Sequence, residues 1–109
     1  TLYVCDSRTN EVWGYVVTDD GQSLGERHLV ATSVSGNFDN IRLDDQERLW
    51  VGAGDDGVHC YAADGTLVGR IRVPEVVANI TFGMAKRNRM FICGTTSLYA
   101  VYLNTRAAR

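Results

Sequence analysis

An all-β fold built from a repeated antiparallel unit is predicted by three features of this 109-residue chain. The first is a recurring pair of short apolar runs. TLYVCDS (Thr1 to Ser7) leads into VWGY (Val12 to Tyr15), RLWVGAG (Arg48 to Gly54) into VHCY (Val58 to Tyr61), and RMFICGT (Arg89 to Thr95) into LYAVY (Leu98 to Tyr102). The second is the spacing of these cassettes: Leu49 lies 47 residues after Leu2 and Met90 lies 41 after Leu49, about the period of a four-stranded propeller blade. The third is turn chemistry. Asp20-Gly21, Asp56-Gly57 and Asp64-Gly65 separate apolar runs, and Asp-Gly provides the positive φ values of tight hairpins.

In chain order, strands are expected around Leu2 to Asp6, Val12 to Thr18 and His28 to Ala31. Four more are expected around Asn40 to Leu43, Leu49 to Ala53, Val58 to Tyr61 and Leu67 to Val73. The last three fall near Asn79 to Phe82, Met90 to Cys93 and Leu98 to Leu103. The grouping is three, four and three: a partial blade over 1–35 without its inner strand, a full blade over 36–74, and a partial last blade over 75–109 without its outer strand. Propellers have four to eight blades, and a blade buries its faces only against its neighbours. The expectation is therefore the C-terminal portion of a single propeller domain. An upstream fragment of the same propeller, or an oligomer, would cover the exposed edges, and the chain alone would not be a compact monomer.

Composition narrows the partners. No apolar run approaches the roughly 20 residues that span a bilayer, so no membrane partner is expected. A net charge of −2 argues against a nucleic-acid partner, which calls for a concentrated basic surface. The basic cluster Lys86, Arg87 and Arg89 falls in an expected turn and reads as a solvated hairpin tip. Asp19, Asp20 and Glu26 lack the spacing of a calcium loop. The cysteines, Cys5, Cys60 and Cys93, form no metal-binding spacing and read as three reduced thiols in the core, pointing to a cytoplasmic setting. His28 and His59 stand apart from any nucleophile motif; His59 reads as a packed or solvent-facing strand residue.

What remains for chemistry is the start of the inner strands, which line a propeller's axis and converge at one mouth. Asp39-Asn40-Ile41 and Ala78-Asn79-Ile80 stand at two such starts, 39 residues apart. A carboxylate there suits a hard cation that takes oxygen ligands, and it equally suits a turn or capping aspartate.

The segment VGAGDDGVHCYAADGTLVGRIRVPEVVANITFG, followed by KRNRMFICGTTSLYAVYLN, resembles the C-terminal portion of the gluconolactonase-like family, related to regucalcin or senescence marker protein. The similarity runs from YVCDS to YLN. It implies a six-bladed propeller with one divalent metal ion, calcium or zinc, on the axis, acting as a hydrolase of sugar lactones. It places Asp39 on the family's metal-binding aspartate, within Phe38-Asp39-Asn40 where the family has Pro-Asp-Gly. Asp39 is thereby the expected metal ligand and catalytic residue, and Asn40 and Asn79 are candidates for the substrate-pocket wall. Asp6 reads as a turn residue at a strand end. The family's other ligands, a glutamate and an asparagine, would precede Thr1. Two functions are open: a metal-dependent lactonase of which this chain carries the C-terminal blades, inactive in isolation, or a non-catalytic propeller fragment or binding module with an incomplete metal site.

Overall fold

Period-two alternation decides the architecture. In the structure, a computed structural model that describes residues 1–108, ten strands form three antiparallel sheets. The first sheet runs β1 (Leu2–Asp6), β2 (Glu11–Thr18) and β3 (Ser23–Thr32) in sequential order. The second runs β4 (Ile41–Leu43), β5 (Leu49–Gly52), β6 (Val58–Tyr61) and β7 (Leu67–Ile71), and the third β8 (Asn79–Gly83), β9 (Arg89–Cys93) and β10 (Leu98–Tyr102). These are successive blades of a propeller, grouped three, four and three as the repeat spacing predicts.

The middle sheet is buried on both faces. Along β5, Leu49 and Val51 join Tyr61, Phe38, Val12 and Ala31 in a core between the first and second sheets. Trp50 points the other way and joins Val58, Cys60, Ile80, Met90 and Ile92 in a core between the second and third. Burying each such aliphatic side chain contributes roughly 1.5–3 kcal/mol. This two-sided burial is why the runs LWV and VHCY carry so few polar residues.

β3 begins five residues before the expected strand. With β2 and the short helical turn Asp19–Gly21, it makes a hairpin whose far half stands away from either core, so Ser23 to Leu29 are exposed. Two bulges interrupt its pairing with β2, near Val12/Trp13 and Tyr15/Val17. Such irregularity blunts an edge strand.

At the opposite end from the β4 start, Asp44 is buried and accepts hydrogen bonds from the Trp50 indole and from the Arg48 side chain, both at 2.9 Å. The segment after β10 folds back onto this corner. Asp45 N–H donates to Arg106 O at 2.8 Å, Ala107 N–H to Arg87 O at 2.9 Å and Ala108 N–H to Leu43 O at 3.0 Å. The Met84–Asn88 turn, with Lys86 and Arg87, is thus tied to the third and second sheets together.

Candidate functional site

Four loops meet at the end of the sheets where β4 and β8 begin and β1 and β5 finish. They enclose a cavity of about 740 Å³ whose rim includes Ser7, Asn37, Asp39 and Asp55, with Val76, Val77 and Ala78 as an apolar wall. Backbone pairing fixes Asp39 at this mouth. Its N–H donates to Gly52 O at 3.0 Å, and Gly52 N–H donates to Asn40 O at 2.9 Å, which extends the β4–β5 ladder by one residue pair. Phe38, only 1% exposed, anchors the preceding position by packing edge-on against the Tyr61 and His59 rings. Asn10 closes the loop from the first sheet: its Oδ1 accepts from Phe38 N–H at 2.9 Å and its Nδ2 donates to Asn37 Oδ1 at 3.4 Å. On the far side, Val77 N–H donates to Gly54 O at 2.8 Å.

The Asp39 side chain is exposed to this cavity and, among the described residues, enters no ion pair. Its charge is felt by Cys5 behind the rim. Burial pushes the Cys5 thiol up to about 11, and the Asp39 and Asp6 carboxylates add to the shift. The side-chain donors on the rim (Asp39, Asp55, Asn37 and Ser7) offer oxygen ligands, the chemistry that suits a hard cation. Among the described residues no group of three His, Cys, Asp or Glu side chains is close enough to hold a metal. Two carboxylates, Asp39 and Asp55, with the amide of Asn37 and the hydroxyl of Ser7 as weaker donors, are a partial set.

The structure separates the residues that sequence spacing paired. Asn40 turns from the cavity into the seam between inner strands, where its Nδ2 donates to Ile80 O at 3.0 Å. It is not among the residues with positive φ, so the position after Asp39 calls for no glycine here. Asn79 opens onto a second cavity of about 380 Å³, with Arg42, Thr81, Phe91, Cys93 and Leu98. Asp6 is a turn residue, as its place at a strand end suggests: its Oδ1 accepts from the N–H groups of Arg8 at 2.9 Å and Thr9 at 3.2 Å.

All three cysteines are free, but they do not share one environment. Cys60 is buried, Cys5 half-buried and Cys93 exposed, which corrects the expectation of three core thiols. Cys5 faces the second sheet, whereas the same cassette position in β9 faces away from it, where no further sheet is described.

Sequence reasoning missed a polar cluster around the buried His59, beneath the rim. His59, with no exposed surface, places Nε2 2.6 Å from Asp56 Oδ2 and Nδ1 3.0 Å from the Tyr61 hydroxyl. The neutral Nε2–H tautomer satisfies both contacts. Ser35 Oγ donates to the same Asp56 oxygen at 2.5 Å, and Arg70 Nη1 lies 3.3 Å from it. The Ser35 and His59 hydrogen bonds hold the Asp56 carboxyl down at about 2. A histidine flanked by Val58 and Cys60, three residues after an aspartate, was the available signal.

Comparison with known proteins now bears on this geometry. The model of the SMP-30/gluconolactonase/LRE-like region matches residues 1–96. The chain belongs to this family. Among solved structures, a gluconolactonase from Xanthomonas campestris, described as important in glucose secondary metabolic pathways, shares 29% identity at a TM-score of 0.79, over 97% of this chain and 33% of its own. A protein assigned as a gluconolactonase by a structural-genomics effort shares 26% identity at 0.84, over 98% of this chain and 36% of its own. A luciferin-regenerating enzyme superimposes at 0.87 with 17% identity, over 97% of this chain and 42% of its own, a likeness of fold alone. The chain thus spans roughly a third to two-fifths of these SMP-30/gluconolactonase-type structures. No curated protein matches it in sequence.

Proposed function

We propose that this chain forms the C-terminal blades of a metal-dependent sugar-lactone hydrolase, with Asp39 as its contribution to the reaction centre. The observation that carries the reading is the exposed Asp39 carboxylate, on a backbone that the Asp39–Gly52 and Gly52–Asn40 hydrogen bonds hold at the rim of the 740 Å³ cavity, in a gluconolactonase-family chain. The oxygen-only rim fits one divalent cation, calcium or zinc, provided that further ligands come from outside these residues. When bound, such an ion polarises a carbonyl and acidifies water. The chain's own residues do the rest: Asp39 carries a negative charge into the cavity and accepts a proton, Ser7 and Asn37 supply hydrogen-bonding groups, and Val76 to Ala78 give a substrate ring an apolar wall.

Lactone hydrolysis by the complete propeller tests this directly, with gluconolactone as substrate and calcium or zinc titrated in. Asp39→Asn keeps the side-chain shape and removes the charge; activity should fall by ~10²–10⁴-fold, the usual worth of general-base catalysis, and cation affinity should fall with it. Unchanged activity and affinity would return Asp39 to the role of a strand-capping residue. Cation binding lost with Asp39→Asn, in a protein that hydrolyses no lactone, would favour a binding module instead.

A further inference from the structure

We infer that Ser35, Asp56 and the buried His59 form a positioning relay for the two rim carboxylates, Asp39 and Asp55. Each rim acid is one residue from a group held by the relay. Asp55 is followed directly by Asp56, whose carboxylate takes up Ser35, His59 and Arg70. Asp39 is preceded by Phe38, whose ring meets His59 at 6.1 Å and 85° and Tyr61 at 5.9 Å and 73°. Ser35 closes the circuit, because it lies on the loop that leads into Phe38 and bonds across to the loop that carries Asp55.

The loop is constrained at its other contacts too. Ser33 Oγ lies 2.7 Å from Ser35 O and 2.9 Å from Gly36 O. Gly36 has φ +76°, and a Cβ there would stand 2.2 Å from Ala53 O, so the loop lies flat against the β5–β6 turn. His59, with no exposed surface, is costly to desolvate unless its ring nitrogens are paired, and the part-exposed Asp56 is one of those partners. Here the pairing spans both loops, so removing one partner frees the rim acids from each other. Ser35 is bonded to Asp56 and not to His59, so the three do not make a nucleophile and its base. Their action on chemistry is through the placement of Asp39 and Asp55.

This inference rests on the lactone-hydrolase reading only for its catalytic arm, and the test keeps the two apart. In the complete propeller, amide hydrogen exchange measured by NMR in Ser35→Ala should quicken at Phe38 and Asp39 by tenfold or more, relative to amides of the β9–β10 pair such as Ile92. Ser35→Thr, which restores the hydroxyl, should return the protection. His59→Phe, which keeps the ring but cannot bond Asp56, should act like Ser35→Ala. No change, or an equal rise everywhere, overturns the relay. In the complete propeller, Ser35→Ala should lower kcat on gluconolactone at least tenfold with KM within twofold. An unchanged kcat in a background where the wild type is active overturns the inference as well. If the wild type hydrolyses no lactone, the functional reading falls and the exchange measurement decides the relay alone.

Discussion

Asn40 Nδ2 donates to the Ile80 carbonyl at 3.0 Å, a side-chain bond that joins the inner strands of two neighbouring blades. The other end of the same amide, Oδ1, is buried without a hydrogen-bond partner among the described residues. One end thus stabilises the seam while the other costs desolvation, and the residue that follows the rim aspartate acts in blade packing.

Asn40→Ala removes both effects, so denaturant unfolding should show a loss of only about 0.5–1.5 kcal/mol. Asn40→Asp should cost more at pH 7, because a carboxylate would face the Ile80 carbonyl with no donor between them. Lowering the pH toward 5 should recover part of that loss, as the protonated acid can donate where the amide did. A milder effect for Asp than for Ala at pH 7 would show that Asn40 does not sit in the seam.

Thiol reactivity should follow position in the sheets. Burial pushes Cys60 up to about 11, as it does Cys5, so neither offers appreciable thiolate at neutral pH. An aromatic disulfide reagent should label Cys93 first, Cys5 slowly and Cys60 only on unfolding. Mass mapping of the labelled peptides checks the order; early labelling of Cys60 would contradict the core between the second and third sheets.

Acid should weaken the fold most through two of its carboxyls. Glu75 is held down at about 2 by the Thr96 hydroxyl first and then by the Tyr99 hydroxyl and Thr96 N–H, and Asp56 at about 2 by Ser35 and His59. Both values lie below the ordinary 4.5 and 3.8. Stability from such depressed groups is fully present above their unfolded values and is lost as pH falls through the folded ones. Unfolding should therefore become easier between about pH 4.5 and 2. Glu75→Gln should flatten the slope of stability against pH in that window by about one proton. An unaltered slope would show that the Glu75 clamp between the β7–β8 and β9–β10 loops does not form.

The three-four-three order was legible because cassette spacing and Asp-Gly turns are local signals. Ser23 to Arg27 were not read as strand, since a hairpin that leaves the core no longer has to alternate. Cys93 was misplaced for a different reason. Its cassette position matches that of Cys5, but burial depends on the next sheet, and among the described residues one packs on the Cys5 face and none on the Cys93 face. At the candidate site, Asp39 was marked by its place at an inner-strand start and by the family resemblance of the surrounding segments, although both neighbours in its triplet, Phe38 and Asn40, depart from the family's Pro-Asp-Gly. Asn37, Asp55 and Ser7 come from other loops and reach the rim only through tertiary convergence. His59 and Asp56 were each explained separately, as strand and turn residues, and nothing local says that Ser35, 21 positions before Asp56, is their third partner.

Two glycines of the middle sheet should respond in opposite ways to alanine. Gly57 closes the β5–β6 turn at φ +79°, and a Cβ there would lie 2.1 Å from Ile71 O, a backbone atom that cannot swing aside. A left-handed conformation costs a side-chain-bearing residue roughly 1–2 kcal/mol, and the contact with the β7 backbone adds to it. Gly57→Ala should lose more than ~2 kcal/mol and loosen Val58 and His59, which follow directly. Gly69, in β7 opposite Cys60, has nothing within 4 Å of its would-be Cβ and no positive φ. Gly69→Ala should stay within about 0.5–1 kcal/mol of the parent, because the added methyl meets open space and reduces unfolded-state freedom. Thermal unfolding of both variants checks the contrast. Equal losses would mean that the β6–β7 pairing does not bring Ile71 O against Gly57.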